Sequence, residues 1–332
     1  MELVKEQVNY GKFSTIFALA YILLVLLTIG LMILSFPLGL YAVFNTNLGI
    51  YNSIKGLFII FWLIYLVLFI KALQGPLLPL NRIPRSALNH GLKSIFGNTL
   101  STLAVTFSSL ILIILFITLL QESAGIGTGS LPETDPPILM LISNSIAPIE
   151  EEIIFRVAPI GTLTILLLFI RRTHFNLFKV LWHPAKYISE LGKKSDTKII
   201  YFFILISGAL FGLAHIAFGA GWEIGKVTTS SLAGVILGLI YFFYGFPGGV
   251  LLHWSFNYFL DSFYYFDEAV KESGLSYFAD FIIIIVGLAS ILFLLIYALQ
   301  KIFKIYNKEG VLEKEINVKF GSFELKVFDR RV

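Results

Sequence analysis

Glu150-Glu151-Glu152-Ile153-Ile154-Phe155-Arg156 sets three carboxylates and a guanidinium inside a run that is otherwise apolar, since residues 137–145 before it and 157–170 after it carry no charge. At mid-bilayer each such residue costs roughly 2.5–3.5 kcal/mol on insertion scales, so the four ask for about 10 kcal/mol before any pairing is counted. In a solvated loop the same charges would cost little, but the uncharged flanks on both sides place them within a spanning segment. There, ionisable groups turn to a protein interior or a water-filled cavity and mark a functional site.

Spacing separates the roles. Glu152 and Arg156 stand at i and i+4, with the acid N-terminal to the base, so they share a helical face and can neutralise each other. Glu151 lies about 100° further round and shares a face with Asn144, seven residues earlier, which leaves it the carboxylate freer to meet something else. Glu150 is the least constrained and is given no role.

Composition sets the class. With 57% hydrophobic, 15% aromatic and 14% charged residues in 332, the chain reads as an all-α polytopic membrane protein. The absence of cysteine excludes disulfides, thiolate zinc sites and a cysteine nucleophile. A net charge of +4 is mild and sorted by loop, which argues against a nucleic-acid partner.

About eight spans are expected, near residues 14–36, 56–70, 99–120, 137–170, 199–217, 227–246, 250–265 and 278–300. The polar head 1–12 is followed by no small-residue cleavage site, so the first apolar run reads as retained. The fourth segment exceeds the roughly 20 residues needed to cross, and Pro148 and Pro159 are expected to bend or split it. A tight turn at Pro247-Gly248-Gly249 is expected between the sixth and seventh spans, and an interfacial amphipathic helix at 175–188. Loops rich in Lys and Arg (71–97, 171–198 and the tail from Lys301) alternate with poor ones, which predicts both termini cytoplasmic. The tail, alternating about Gly321-Ser322, reads as a short β-hairpin.

Two more polar groups fall inside spans. The fifth closes on Phe211-Gly212-Leu213-Ala214-His215, and the seventh carries His253, Asn257 and Asp261 at i, i+4 and i+8, one polar stripe along an apolar helix. A lone intramembrane histidine is most simply a helix-to-helix hydrogen bond. Two of them beside the glutamates point to a shared polar cavity. Gly208 with Gly212, and Gly234 with Gly238, are small-xxx-small pairs that let helices approach around it.

Glu151-Glu152-x-x-x-Arg156, Phe211-x-x-x-His215 and His253-x-x-x-Asn257, in that order on successive hydrophobic segments, resemble the signature of the type II CAAX prenyl endopeptidases and the wider CAAX-protease and bacteriocin-processing family. The resemblance covers about residues 137–265 and suggests a division into N-terminal helices (1–136), a catalytic core (137–267), and a last helix with cytoplasmic tail (268–332). It implies a peptide hydrolase in which Glu151 is the general base, His215 helps hold and activate a water, and His253 and Asn257 donate to the oxyanion, with Glu152 and Arg156 bracing the site. The substrate implied is a prenylated protein or peptide within membrane lipid, cut near its C-terminus.

A metal-dependent version would use Glu151, His215 and His253 as zinc ligands. The metal-free version is preferred, because Asn257 suits a donor better than a ligand and no HExxH pair lies on one helix. Other readings are a protease of bacteriocin or other unprenylated peptides, in processing or immunity, and a non-catalytic scaffold or transporter. Against transport, the intramembrane charges have no inverted partner in the other half of the chain.

A prenylated substrate would reach the site from the cytoplasmic leaflet, where Arg171, Arg172, Lys193 and Lys194 could attract a terminal carboxylate. Helix counting, however, puts Glu151 and His215 in the outer half of the membrane and His253 nearer the cytoplasmic end. Meeting at one depth requires tilted or broken fourth and fifth spans, or a buried turn at Pro247.

Overall fold

Long apolar runs with few breakers form helices because in lipid every backbone polar group must be satisfied within its own segment. In the computed structural model the described residues are 12–47, 49, 52–130, 138–191, 194–218, 221–271, 273–306, 314–320 and 323–329. Their helices are α1 (Lys12–Asn45), α2 (Ile54–Gln74), α3 (Ile83–His90), α4 (Thr99–Ser123), α5 (Leu139–Glu152), α6 (Thr162–Ile170), α7 (Leu177–Trp182), α8 (Ile188–Leu191), α9 (Lys194–Phe218), α10 (Gly225–Val270) and α11 (Leu275–Tyr306). The polar head lies, but for Lys12, outside the described residues. Strands β1 (Lys314–Phe320) and β2 (Phe323–Asp329) pair antiparallel with Phe320 opposite Phe323, the register the alternation predicts.

Among the described residues seven helical stretches are long and apolar enough to cross a membrane, against the eight expected. The difference lies in α10. Its 46 residues would measure about 69 Å if straight, more than twice the hydrocarbon core. Gly245 breaks it, at φ 79° and ψ −178°, a backbone conformation that favours glycine. The two halves fold back on each other there, because a methyl group at Gly249 would stand 3.3 Å from the Cβ of Tyr241. The sixth and seventh expected spans are therefore the two arms of one broken helix, and the reversal sits at Gly245, just before the expected Pro247-Gly248-Gly249.

Two other boundaries move. Helix α1 runs through Pro37 to Asn45, where a loop was expected. Trp62 Nε1 and Tyr258 Oη both donate to the Phe36 carbonyl, at 3.3 and 3.4 Å, so neighbouring helices grip the backbone beside the proline. The amphipathic segment expected at 175–188 is interrupted at His183-Pro184, giving α7, a 3₁₀ turn (Pro184–Tyr187) and α8.

The fourth segment stays helical, but Ile153–Gly161 between α5 and α6 is a π-helix, a wider turn that takes in Pro159. Such π segments occur mostly at functional sites. Gly208 packs on Gly234 and Val235, and Gly212 on Val227 and Ser231, so the small-residue pairs do bring α9 against the first arm of α10. Behind the second arm, Trp254 stacks on Tyr258 at 4.4 Å and meets Tyr65 and Phe69 of α2 at 5.1 and 5.6 Å. The residues next to His253 and Asn257 thus anchor this arm to the N-terminal helices, which fixes the direction in which the polar stripe points.

Candidate active site

Glu152, the last residue of α5, and Arg156, inside the π-helix, are both fully buried and pair at 3.4 Å between Oε1 and Nη1. Arg156 also donates from Nη2 to the Gly234 carbonyl at 3.3 Å and lies 4.2 Å from the centre of the Phe211 ring. All of this serves to hold one cation in an apolar interior, where breaking a pair leaves an uncompensated charge. The i, i+4 reading of the two residues as a mutually neutralising pair agrees with this geometry.

His253, on the second arm of α10, stands between the two glutamates. Its Nδ1 is 2.9 Å from Glu152 Oε1 and its Nε2 is 3.4 Å from Glu151 Oε2. Gly249, one turn earlier, lets Glu152 come this near, since a methyl there would lie 2.8 Å from Glu152 Oε2. A straight α10 would hold Gly234 and His253 about 28 Å apart, too far for one Glu152–Arg156 pair to reach both. The fold at Gly245 removes the conflict in depth. That turn is itself buried, with Gly245 against the Trp182 carbonyl and the His183 ring, so the second arm starts inside the protein and not at its edge.

His215, near the end of α9, places Nδ1 2.8 Å from the Phe211 carbonyl. A carbonyl only accepts, so Nδ1 carries the proton and Nε2 of the neutral ring is an acceptor. The Phe211 ring joins the two histidines, with its centroid 4.7 Å from His215 and 5.5 Å from His253, both edge-on. Phe211 thus touches both imidazoles and the Arg156 guanidinium, a packing role that its place in the spaced pattern did not disclose. Asn257 is partly exposed one turn beyond His253 and makes no hydrogen bond among the described residues. Asp261, a turn further, accepts from Asn144 Nδ2 at 2.8 Å, so the stripe on α10 and the Asn144 face of α5 meet.

Glu151 differs from Glu152 in exposure. Its side chain is 32% exposed where Glu152 has none, so it is the carboxylate that water and a ligand can reach. Two neighbours were not foreseen. Trp222 lies 6.4 Å from the His215 ring, and Lys226 sets its ammonium 3.7 Å from the centre of the Trp222 ring, within electrostatic reach of Glu151 and His215. The only sequence signal for Lys226 is a single basic residue opening a span after a loop otherwise poor in them.

His215, Trp222 and Lys226 lie where α9 ends and α10 begins, the end of the bundle opposite the 171–191 segment. Arg171 is occupied elsewhere, donating to both Asp196 oxygens at 2.6 and 2.8 Å, and Lys193 lies outside the described residues. One His253 nitrogen faces each glutamate, His215 Nδ1 is held by a carbonyl, and no three His, Cys, Asp or Glu side chains among the described residues gather as a metal site.

No curated protein and no solved structure matches the chain. A family model does match, described as type II CAAX prenyl endopeptidase Rce1-like, over residues 133–259, the stretch that runs from the start of the glutamate segment to just past Asn257. This is a multi-pass membrane protein whose segment 133–259 is similar to the Rce1-like type II CAAX prenyl endopeptidases.

Proposed function

We propose that the chain is an intramembrane endopeptidase in which Glu151 and His215 activate a water for attack on a peptide carbonyl near the C-terminus of a membrane-anchored substrate. The observation that carries this reading is the inequality of the two glutamates. Glu152 is buried and neutralised by Arg156, while Glu151 keeps an exposed carboxylate beside His253. A base must reach its water, and only Glu151 can. The free Nε2 lone pair of His215 suits it to accept the water's second hydrogen.

As the tetrahedral intermediate forms, Asn257 Nδ2 and His253 Nε2–H are the donors for its oxyanion, where losing one typically costs about 10²- to 10³-fold. Glu152 then accepts from His253 Nδ1 and fixes the ring's direction. Glu151 passes the proton to the departing amine. No metal enters this scheme, and the preference for a metal-free reaction rests on both His253 nitrogens facing glutamates and His215 Nδ1 being held by the Phe211 carbonyl.

The family match supports a prenylated protein or peptide as substrate, its lipid tail staying in the membrane. A second reading, the same chemistry on an unprenylated membrane-associated peptide, is favoured by the position of His215, Trp222 and Lys226 at the end of α9 opposite the basic loops. If those loops are cytoplasmic, these residues lie toward the other face. Purified protein incubated with a farnesylated CAAX peptide and its unprenylated counterpart tests both, with Glu151→Ala as control. Cleavage of the farnesylated peptide alone supports the first reading, cleavage of both supports the second, and cleavage of neither overturns the proposal.

A further inference from the structure

Of the cations near the site, only Lys226 is uncommitted. Arg156 is fully buried and bound to Glu152, the Gly234 carbonyl and the Phe211 face, and Arg171 is held by Asp196 at the far end of the bundle. The Lys226 ammonium forms no salt bridge and no hydrogen bond among the described residues and rests on the Trp222 ring. Its position is fixed by a rim of backbone bonds. Glu223 N donates to the Thr128 carbonyl at 3.0 Å, Gly225 N to the Gly127 carbonyl at 2.9 Å, and Ser130 N to the Gly221 carbonyl at 3.2 Å. Gln121 Nε2 adds a bond to the Gly225 carbonyl at 3.2 Å. A half-buried ammonium in no ion pair among the described residues, seated on a ring 6.4 Å from that of His215, lacks a partner that a substrate could bring.

We propose that Lys226, seated on Trp222, is a specificity-determining residue that binds the free C-terminal carboxylate of the peptide being cut. This rests on the endopeptidase reading. A bond broken near the C-terminus leaves only a few residues between the reacting carbonyl and the terminal carboxylate, each spanning at most about 3.5 Å. A cation close to Glu151 is therefore at a distance where that carboxylate arrives. Arg171, assigned this task with its basic neighbours from sequence, is instead bound to Asp196 near the start of α9, at its other end.

The test compares wild type, Lys226→Met and Lys226→Arg on matched farnesylated peptides ending in a free carboxylate or in an amide. Wild type is expected to favour the acid in kcat/KM by about 10- to 100-fold, the scale of a charge-assisted hydrogen bond. Lys226→Met should bring that ratio toward one, mainly by raising KM for the acid, and Lys226→Arg should restore part of it. An unchanged ratio in Lys226→Met, or an equal loss on acid and amide, would overturn the proposal, the second outcome meaning that Lys226 acts only through Glu151.

Binding of the same two peptides to Glu151→Gln and Glu151→Gln/Lys226→Met, followed by fluorescence anisotropy, separates this inference from the endopeptidase reading. Acid-selective binding lost in the double variant upholds the carboxylate site even if wild type cleaves nothing. Equal binding of acid and amide by Glu151→Gln overturns it even if wild type is an active protease.

Discussion

Replacing Glu152 by Gln should do most of its damage to the fold. Glu152 Oε1 is 3.4 Å from Arg156 Nη1, and neither side chain has any exposure, so the guanidinium loses its only carboxylate partner within ion-pair distance among the described residues. At an effective dielectric of about 20 two charges at that distance attract by about 5 kcal/mol. Removing one partner of a buried pair typically costs about 3–5 kcal/mol. Equilibrium unfolding in mixed detergent and SDS, followed through the tryptophans, should therefore show Glu152→Gln destabilised by about 3–5 kcal/mol. A paired Glu152→Gln/Arg156→Met protein should recover most of that, because neutral groups of similar volume often replace a buried pair with little net cost. Glu151→Gln, about a third exposed, should stay within about 1 kcal/mol of wild type while cleavage falls by at least about 10²-fold. Two results would refute this account of the pair: a Glu152→Gln protein as stable as wild type, or a double variant destabilised by the sum of the single effects.

Cleavage should survive exhaustive treatment with a strong chelator; activity lost on chelation and regained with added zinc would replace the metal-free scheme. Counting basic residues puts Ser195 inside the cell and Ala124 outside, so in this cysteine-free chain Ala124→Cys should react with a membrane-impermeant thiol reagent in intact cells and Ser195→Cys only after lysis. The reverse pattern would invert the topology and turn His215, Trp222 and Lys226 toward the cytoplasm. His183, outside the spanning helices, donates from Nε2 to the Phe243 carbonyl at 2.7 Å, and burial, with help from Lys186, depresses its pKa to about 4. A depressed histidine contributes stability that is present above its unfolded value near 6.5 and is lost as pH falls toward 4, about 3 kcal/mol in all. The stability advantage of wild type over His183→Gln should accordingly shrink between pH 6.5 and 4.5, and a gap that does not change with pH would refute it.

Much of the site was legible along the chain because its residues are costly where they sit. Charges in an apolar run are retained only with partners, and periodicity of the helix sorts those partners by face. That is why Glu152 could be paired with Arg156, and Glu151 left free, from spacing alone. The same cost flags His215, His253, Asn257 and Asp261. Trp222 and Lys226 carry no such flag, since an aromatic and a lysine at a span end are ordinary interfacial residues.

The sequence by itself determined the helical class, the approximate span limits, the hairpin register and the membership of the polar set, because each follows from local hydropathy, period or turn chemistry. Helix packing decided that the sixth and seventh spans are arms of one helix folded at Gly245, that this turn is buried beneath Trp182 and His183, and that His215 and Trp222 meet at the end of α9 away from Arg171. Those features depend on how helices stack across more than a hundred residues. A depth count along the chain assumes that every turn reaches a membrane surface, and a turn held inside the protein by packing breaks that assumption.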